Sequence, residues 1–258
     1  MTFELYAIRY AHREGHRAEH FYGSIDRPDE PMPLSYYVWL AVQDDRAVLI
    51  DTGFTAETAA RRGRTYVVSP AEGVQALGIA PEAIDTVILT HLHYDHAGCT
   101  PMFDRAQFVL QEAEMAFWTG RHAARIGLPH LVDPDDITTV CQANFANRVS
   151  WADGHLRVAP GIEVHRVGGH TTGMQIVTVA TAEGTVVVAS DAGHFYENIE
   201  TDRPYAVLDS VPDAHAAFDH MRELAGGSKN IIPGHDPAVM EKYPAAQPHL
   251  AGLVARIA

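Results

Sequence analysis

Apolar residues come in short runs of strand length, separated by segments of helical period and by turn residues. Residues 3–9 (FELYAIR) and 35–42 (SYYVWLAV) are rich in aromatic and branched side chains and predict strands. Residues 46–50 predict another, reached through a hairpin turn at Asp44-Asp45. Helices are expected at 55–63 and 70–78, with Gly63 and Gly78 as stops. A buried strand is expected at 86–90, a further one at 106–110, then a helix at 111–118. Residues 119–150 mix Gly, Pro, Asp and aromatics without a sustained period and read as an irregular insertion with some helix. Strands follow at 162–167, 175–180 and 185–190, the last two joined by Ala182-Glu183-Gly184. A helix over 212–225 opens at Pro212-Asp213 and closes at Gly226-Gly227; a strand over 229–232 runs into Pro233-Gly234-His235. The order β-rich, then helical, occurs twice. It predicts a sandwich with strands inside and helices outside, and without a linker 1–258 reads as a single domain.

Length and composition narrow the function classes. A chain of 258 residues can bury a sizeable core, and 47% hydrophobic with 20% charged residues excludes disordered, collagen-like and coiled-coil classes. The net charge of −14 argues against nucleic acid and anionic membrane as partners. Two cysteines, Cys99 and Cys141, make no disulfide framework and suit a reducing compartment. No apolar run reaches membrane-spanning length, and the N-terminus lacks the apolar core of a secretory signal, so a cytoplasmic location is expected. Histidine stands out, with 16 copies.

His91-Leu92-His93-Tyr94-Asp95-His96 places four potential metal ligands in six positions at the end of a predicted buried strand. Neutral imidazole and carboxylate are both good ligands for divalent transition metals. His91 and His93 can point one way while Asp95 and His96 reach a neighbouring point. One zinc needs only three or four protein ligands, so the surplus suggests two metals. His170 in GGHTTG, Asp191 after TVVVAS and His235 in PGHD add candidates at strand ends. Any one Gly-His alone would read as a turn residue; the cluster with three further strand-end ligands does not.

These segments, together with Asp51-Thr52-Gly53, resemble the metallo-β-lactamase superfamily, and within it the N-acyl homoserine lactonase family, known for quorum quenching. The resemblance implies an α/β fold, an αββα sandwich with two metals at its open edge. It assigns His91, His93 and His170 to the first metal, Asp95, His96 and His235 to the second, and Asp191 to the bridge between them. Asp51 would orient a ligand histidine. Zinc is the usual metal, and iron, manganese or cobalt suit the same ligands. The implied chemistry is attack of a metal-bridging hydroxide on the carbonyl of a lactone, with Asp95 passing a proton to the leaving oxygen. Where the family commonly has a tyrosine three residues after the bridging aspartate, this chain has His194, expected to donate a hydrogen bond to the substrate carbonyl, with Tyr196 two residues on. An N-acyl homoserine lactone, another cyclic ester or a cyclic amide fit the small-molecule substrate.

Rival readings share the ligands. A thioesterase of the glyoxalase II kind would want a basic patch for glutathione carboxylates, whereas the only lysines are Lys229 and Lys242. A diiron electron-transfer protein would need a flavin domain, and a non-enzymatic metal scaffold would not keep a full ligand set. No G-x-S-x-G occurs. A homodimer stays open. His12, His16 and His20 recur every four residues, which would stack them on a helix, but a solvated polar segment leading into Phe21-Tyr22 is preferred. His122, His130, His155, His165, His215, His220 and His249 read as surface or hydrogen-bonded core residues, Cys99 as a small buried filler. Phe21, Tyr22, Trp118 and Phe145 could line a pocket but read first as core.

Overall fold

The computed structural model describes residues 2–125 and 130–258. The chain begins with a meander of β1 (Glu4–Arg13), β2 (Leu34–Gln43) and β3 (Arg46–Ile50). The hairpin pairs Gln43 with Arg46 around Asp44-Asp45, and Asp44 takes a positive φ of 49° as such a turn requires. Helix α1 (Ala56–Arg62) is capped by the Thr55 hydroxyl and stopped by left-handed Gly63. The two-residue β4 (Thr65–Tyr66) follows, then α2 (Pro70–Ala76), which opens with a Ser69/Glu72 capping box. Next come β5 (Thr86–Ile88), the single turn α3 (Tyr94–Ala97), β6 (Gln107–Gln111) and α4 (Glu112–Trp118).

Within 119–150 the structure holds α5 (Pro134–Phe145), capped by Asp133, and enters β7 (Val149–Ala152); residues 126–129 of this stretch lie outside the described residues. Then follow β8 (His155–Ala159), β9 (Ile162–Arg166), β10 (Gln175–Thr181), β11 (Gly184–Ser190), α6 (Tyr196–Glu200), α7 (Val211–Ala225), β12 (Ile231–Pro233), α8 (Val239–Lys242) and β13 (Val254–Arg256).

The strands form two mixed sheets, one ordered β13-β1-β2-β3-β5-β6-β7 with β4 beside β1, the other β12-β11-β10-β9-β8. Side-chain alternation along each strand builds the layers. Trp39, Val48, Ile50, Ile88 and Val109 face inward and meet Val164, Val177, Val179 and Val188 of the second sheet. Their neighbours Val38, Leu40, Leu49, Val87 and Phe108 face the opposite way, into a core shared with α1, α2 and α5. On the far side Ile176, Val187 and Ala189 pack on Ala217, Phe218 and Met221 of α7. The result is the expected αββα sandwich. Truncating Trp39, fully buried between the sheets, would cost roughly 3–5 kcal/mol.

The repeat of β-then-helix in the sequence does not divide the chain cleanly. β13 comes after the second helical region yet pairs with β1, where Val254 joins the helix-facing core and Ala255 the core between the sheets.

Candidate metal centre

The residues of interest all follow the C-terminal ends of strands at one edge of the sandwich. Asp51 follows β3, His91 to His96 follow β5, His170 follows β9, Asp191 follows β11 and His235 follows β12. Backbone hydrogen bonds tie these loops together. Thr52 donates through both its amide and hydroxyl to the His96 carbonyl, and the Tyr10 hydroxyl donates to the Asp95 carbonyl at 2.8 Å. Asp51 and Ser190 hold left-handed φ values of 61° and 45°, a costly backbone at the two strand ends that aim the cluster. Gly234 is glycine for want of space: a Cβ would stand 2.6 Å from the Ser190 carbonyl.

Seven predicted ligands converge. His91, His93, His170 and Asp191 form one group whose ligand atoms lie within 4.8 Å of one another, and Asp95, His96 and His235 form a second. Asp191 lies between them. Its Oδ2 is 3.7 Å from His91 Nε2 and 3.2 Å from His170 Nε2, while its Oδ1 is 3.1 Å from His96 Nε2 and 2.9 Å from His235 Nε2. Every one of these side chains is buried or nearly so.

The hydrogen-bond partners behind the imidazoles fix which nitrogen faces inward. His170 Nδ1 donates to the Val207 carbonyl at 2.7 Å, His235 Nδ1 to the Ser35 carbonyl at 2.8 Å, and His96 Nδ1 to Asp51 Oδ2 at 2.8 Å. Each ring spends its proton outward, so its Nε2 lone pair points into the cluster. These lone pairs face the Asp191 carboxylate, and His170 Nε2 faces His93 Nδ1 at 3.0 Å. His91 Nε2 and His96 Nε2 are buried without any hydrogen-bond partner. Imidazole lone pairs facing a carboxylate in a buried site repel it unless cations lie among them. The donor set therefore fits two divalent metals, six side chains in two groups and one carboxylate positioned to serve both.

Electrostatics agree with neutral, ligating imidazoles at the first group. Burial, then the neighbouring histidines, push His91 and His93 well below the ordinary histidine range. Burial also opposes a charge on His96, but Asp191, Asp51 and Asp95 outweigh it and raise its pKa well above the ordinary value: the three carboxylates draw to the second group a positive charge that a metal would supply in place of the proton. Burial likewise acts on Asp191, and His194, His96 and His235 outweigh it, holding the carboxyl ionised.

His194 lines the same cavity. Its Nε2 lies 3.1 Å from Asp191 Oδ2, its Nδ1 is buried without a partner, and burial lowers its pKa to about 3. Tyr196 points elsewhere, toward Tyr243. A different tyrosine reaches the site: the ring of Tyr205 stacks on His194 at 3.4 Å with an interplanar angle of 5°. Nothing in the sequence around Arg203-Pro204-Tyr205 carries a metal-site pattern, so Tyr205 escapes a reading based on motifs.

Glu114 escapes it too. This fully buried carboxylate on α4 accepts from the Leu92 amide (3.0 Å), Trp118 Nε1 (2.8 Å), the Thr171 hydroxyl (2.7 Å) and the Gly173 amide (2.9 Å). It clamps the loop of His91 and His93 to the loop of His170. Gly173 lies so close that a Cβ would meet the Glu114 backbone at 2.3 Å.

The histidines outside the ligand set divide. His12 lies on β1, paired with Ser35 and Thr65, so no helix stacks His12, His16 and His20. His16 is exposed, but His20 is completely buried, contrary to the solvated segment expected there; it stacks on Phe195 and Tyr205 and bonds the Met32 carbonyl at 2.9 Å. His130 lines the metal cavity. His155, Glu163 and His165 approach one another on the outer face of β8 and β9, away from the centre. Of the aromatic candidates, Trp118 packs on His93 at 5.7 Å and lines the site, Phe21 is buried core, and Tyr22 and Phe145 are exposed, Phe145 to 92%. Cys99 is buried, as expected of a filler.

Comparison with known proteins places this arrangement. A profile of the metallo-beta-lactamase superfamily matches residues 31–235. The chain is 29% identical over 227 residues to N-acyl homoserine lactonase AiiB of Agrobacterium fabrum, covering 80% of each chain. It is 26% identical over 229 residues to N-acyl homoserine lactonase AiiA of Bacillus thuringiensis subsp. kurstaki, covering 81% of this chain and 84% of that one. Among solved structures, a quorum-quenching N-acyl homoserine lactone lactonase superposes with a TM-score of 0.73 at 23% identity over 92% of this chain and 93% of that one. AidC, a dizinc quorum-quenching lactonase, superposes with a TM-score of 0.72 at 16% identity over 91% and 88%. With the family profile covering most of its length and the fold and ligand cluster in place, the chain belongs to the metallo-beta-lactamase superfamily.

Proposed function

We propose that this hydrolase opens a lactone ring at a dinuclear centre, with zinc as its metal. His91, His93 and His170 would hold the first ion, Asp95, His96 and His235 the second, and Asp191 would bridge them. The observation that carries this reading is the inward convergence of imidazole nitrogens on one buried carboxylate, in two groups. Two such ions, when bound, supply Lewis acidity toward a carbonyl and acidify water near neutral pH.

The chain's own residues do the rest. Asp51, Val207 and Ser35 fix the tautomers of three ligands, and Glu114 holds two loops in register. Asp95 reaches the cavity with its carboxylate about as far from His96 as from His235, at 3.8 and 4.0 Å, and is positioned to carry a proton from water to the leaving alkoxide. His194, held neutral by burial, directs its Nε2 at the centre and would donate to the substrate carbonyl in competition with Asp191.

The relatives named above support lactones over thioesters as substrates, and N-acyl homoserine lactones are the first to try. The test is product formation, followed by chromatography, from purified metal-loaded protein given a panel of lactones, thioesters and cyclic amides. Lactones should be opened fastest. Turnover of thioesters with no lactone opened would transfer the chain to the thioesterase reading.

A further inference from the structure

The cavity above the ligands, about 250 Å³, has an unexpected wall for a chain of net charge −14: three arginines, Arg13, Arg62 and Arg64. Arg13 is neutralised by Glu19 at 2.8 Å. Among the described residues the other two have no carboxylate within ion-pair distance. They come from Arg61-Arg62-Gly63-Arg64 at the end of α1, where Arg61 turns outward to Asp133 at 2.6 Å. The Arg62 guanidinium lies over the Tyr94 ring at 3.7 Å, its Nη1 donates to the His130 carbonyl, and its Nε is buried without a partner among the described residues. Arg64 Nε donates to the Tyr94 hydroxyl at 3.3 Å. Among the described residues neither Arg62 nor Arg64 makes an ion pair.

Tyr94 sits between the proposed ligands His93 and Asp95, so the two guanidiniums flank the metal loop itself. Both guanidiniums rest against Tyr94; Asp136 acts on Arg62 only from beyond ion-pair distance, so an anion in the cavity would be the first direct carboxylate partner of either. Guanidinium is the side chain suited to a carboxylate, through paired, charge-assisted hydrogen bonds. The donors stand at the carbonyl end of α1, not at a helix N-terminus of the kind that favours phosphate. On the other side of His93 and His170 a second cavity of about 260 Å³ has an apolar wall of Phe117, Trp118, Val207 and Leu208 and a polar one of Thr172 and Asp209, which suits an uncharged portion and disfavours a second carboxylate there.

We propose that the substrate is a lactone bearing a carboxylate on one arm, bound by Arg62 and Arg64, with its apolar part against Trp118. This rests on the lactone-opening reading and narrows it, because a simple N-alkanoyl homoserine lactone has no ionised group. The test compares N-succinyl homoserine lactone with its methyl ester. For the wild type, kcat/KM should favour the acid by about tenfold or more, mainly through KM, as expected for one charge-assisted contact. The preference should shrink as salt is raised. In R62Q/R64Q the ratio of acid to ester should fall to near one with metal content and Tm retained, and R62K/R64K should keep part of it. Equal rates for acid and ester in the wild type, or an undiminished ratio in R62Q/R64Q, overturns the proposal. Calorimetric titration with the matching pair of γ-lactams separates it from the parent reading. If neither lactone is opened, lactone hydrolysis fails as the function, while tighter binding of the acid lactam, lost in R62Q/R64Q, still supports the carboxylate site. Equal binding of the two lactams, or binding of neither, overturns it.

Discussion

Glu114 has four donors pointed at its two oxygens. Replacing it by glutamine keeps the size but turns an amide NH₂ toward two of those donors, leaving buried groups unsatisfied at roughly 1–3 kcal/mol. Glu114→Gln should therefore lower Tm and weaken the first metal more than the second, read by thermal melts and by competitive chelation; unchanged melting and affinity would deny the clamp. Asp95 is the proposed proton carrier, and Asp95→Asn should keep the fold while losing roughly 10²–10⁴-fold in kcat. A fully loaded Asp95→Asn protein of near-normal rate would remove Asp95 from the mechanism. For His194, loss of one oxyanion donor should cost about 10²–10³-fold in kcat at unchanged metal content. If His194→Phe keeps its kcat, the hydroxyl of Tyr205, stacked on the same imidazole, becomes the donor to test by Tyr205→Phe.

The segment between β1 and β2 shows how an element's surroundings reset its chemistry. Arg17, buried, binds Glu197 of α6 through two hydrogen bonds of 2.7 Å each, and this places His20 beneath the ring of Phe195. Burial lowers the His20 pKa from 6.5 to about 4. Between those values the unfolded chain binds a proton that the folded chain refuses, so stability is full above about pH 6.5 and is lost as pH falls toward 4. Urea titrations at pH 7.5 and 5 should show this loss, and His20→Gln, which retains a donor for the Met32 carbonyl, should lessen it. An identical pH slope in wild type and His20→Gln would exclude His20 as the source. A polar stretch such as AHREGHRAEH reveals none of this, because its spacing suits a solvated segment and the groups that bury His20, among them Met32, Phe195 and Tyr205, lie elsewhere in the chain.

At the scale of the whole molecule, the sandwich and the ligand cluster were both legible because each has a local signature. Strand alternation separates the inter-sheet core from the helix-facing core, and the ligands cluster in short motifs at strand ends. What stayed hidden depends on contacts across the chain. Glu114 carries no motif on its short helix, Trp118 reads first as core, Arg62 and Arg64 belong to no motif, and β13 is too short to reveal its partner. The stretch 119–150 lacks a sustained period because only Val140 and Ala143 of α5 are buried.

The dinuclear centre is the claim on which the rest depends, and metal titration of the stripped protein tests it most directly. Zinc should be added in steps while bound metal and lactone-opening rate are measured on the same samples. The account predicts that tight binding and rate both level off at two ions per chain, and that His170→Ala and His235→Ala each remove one ion with most of the rate. A rate that is complete at one tightly bound ion per chain, or that is independent of metal, would contradict it.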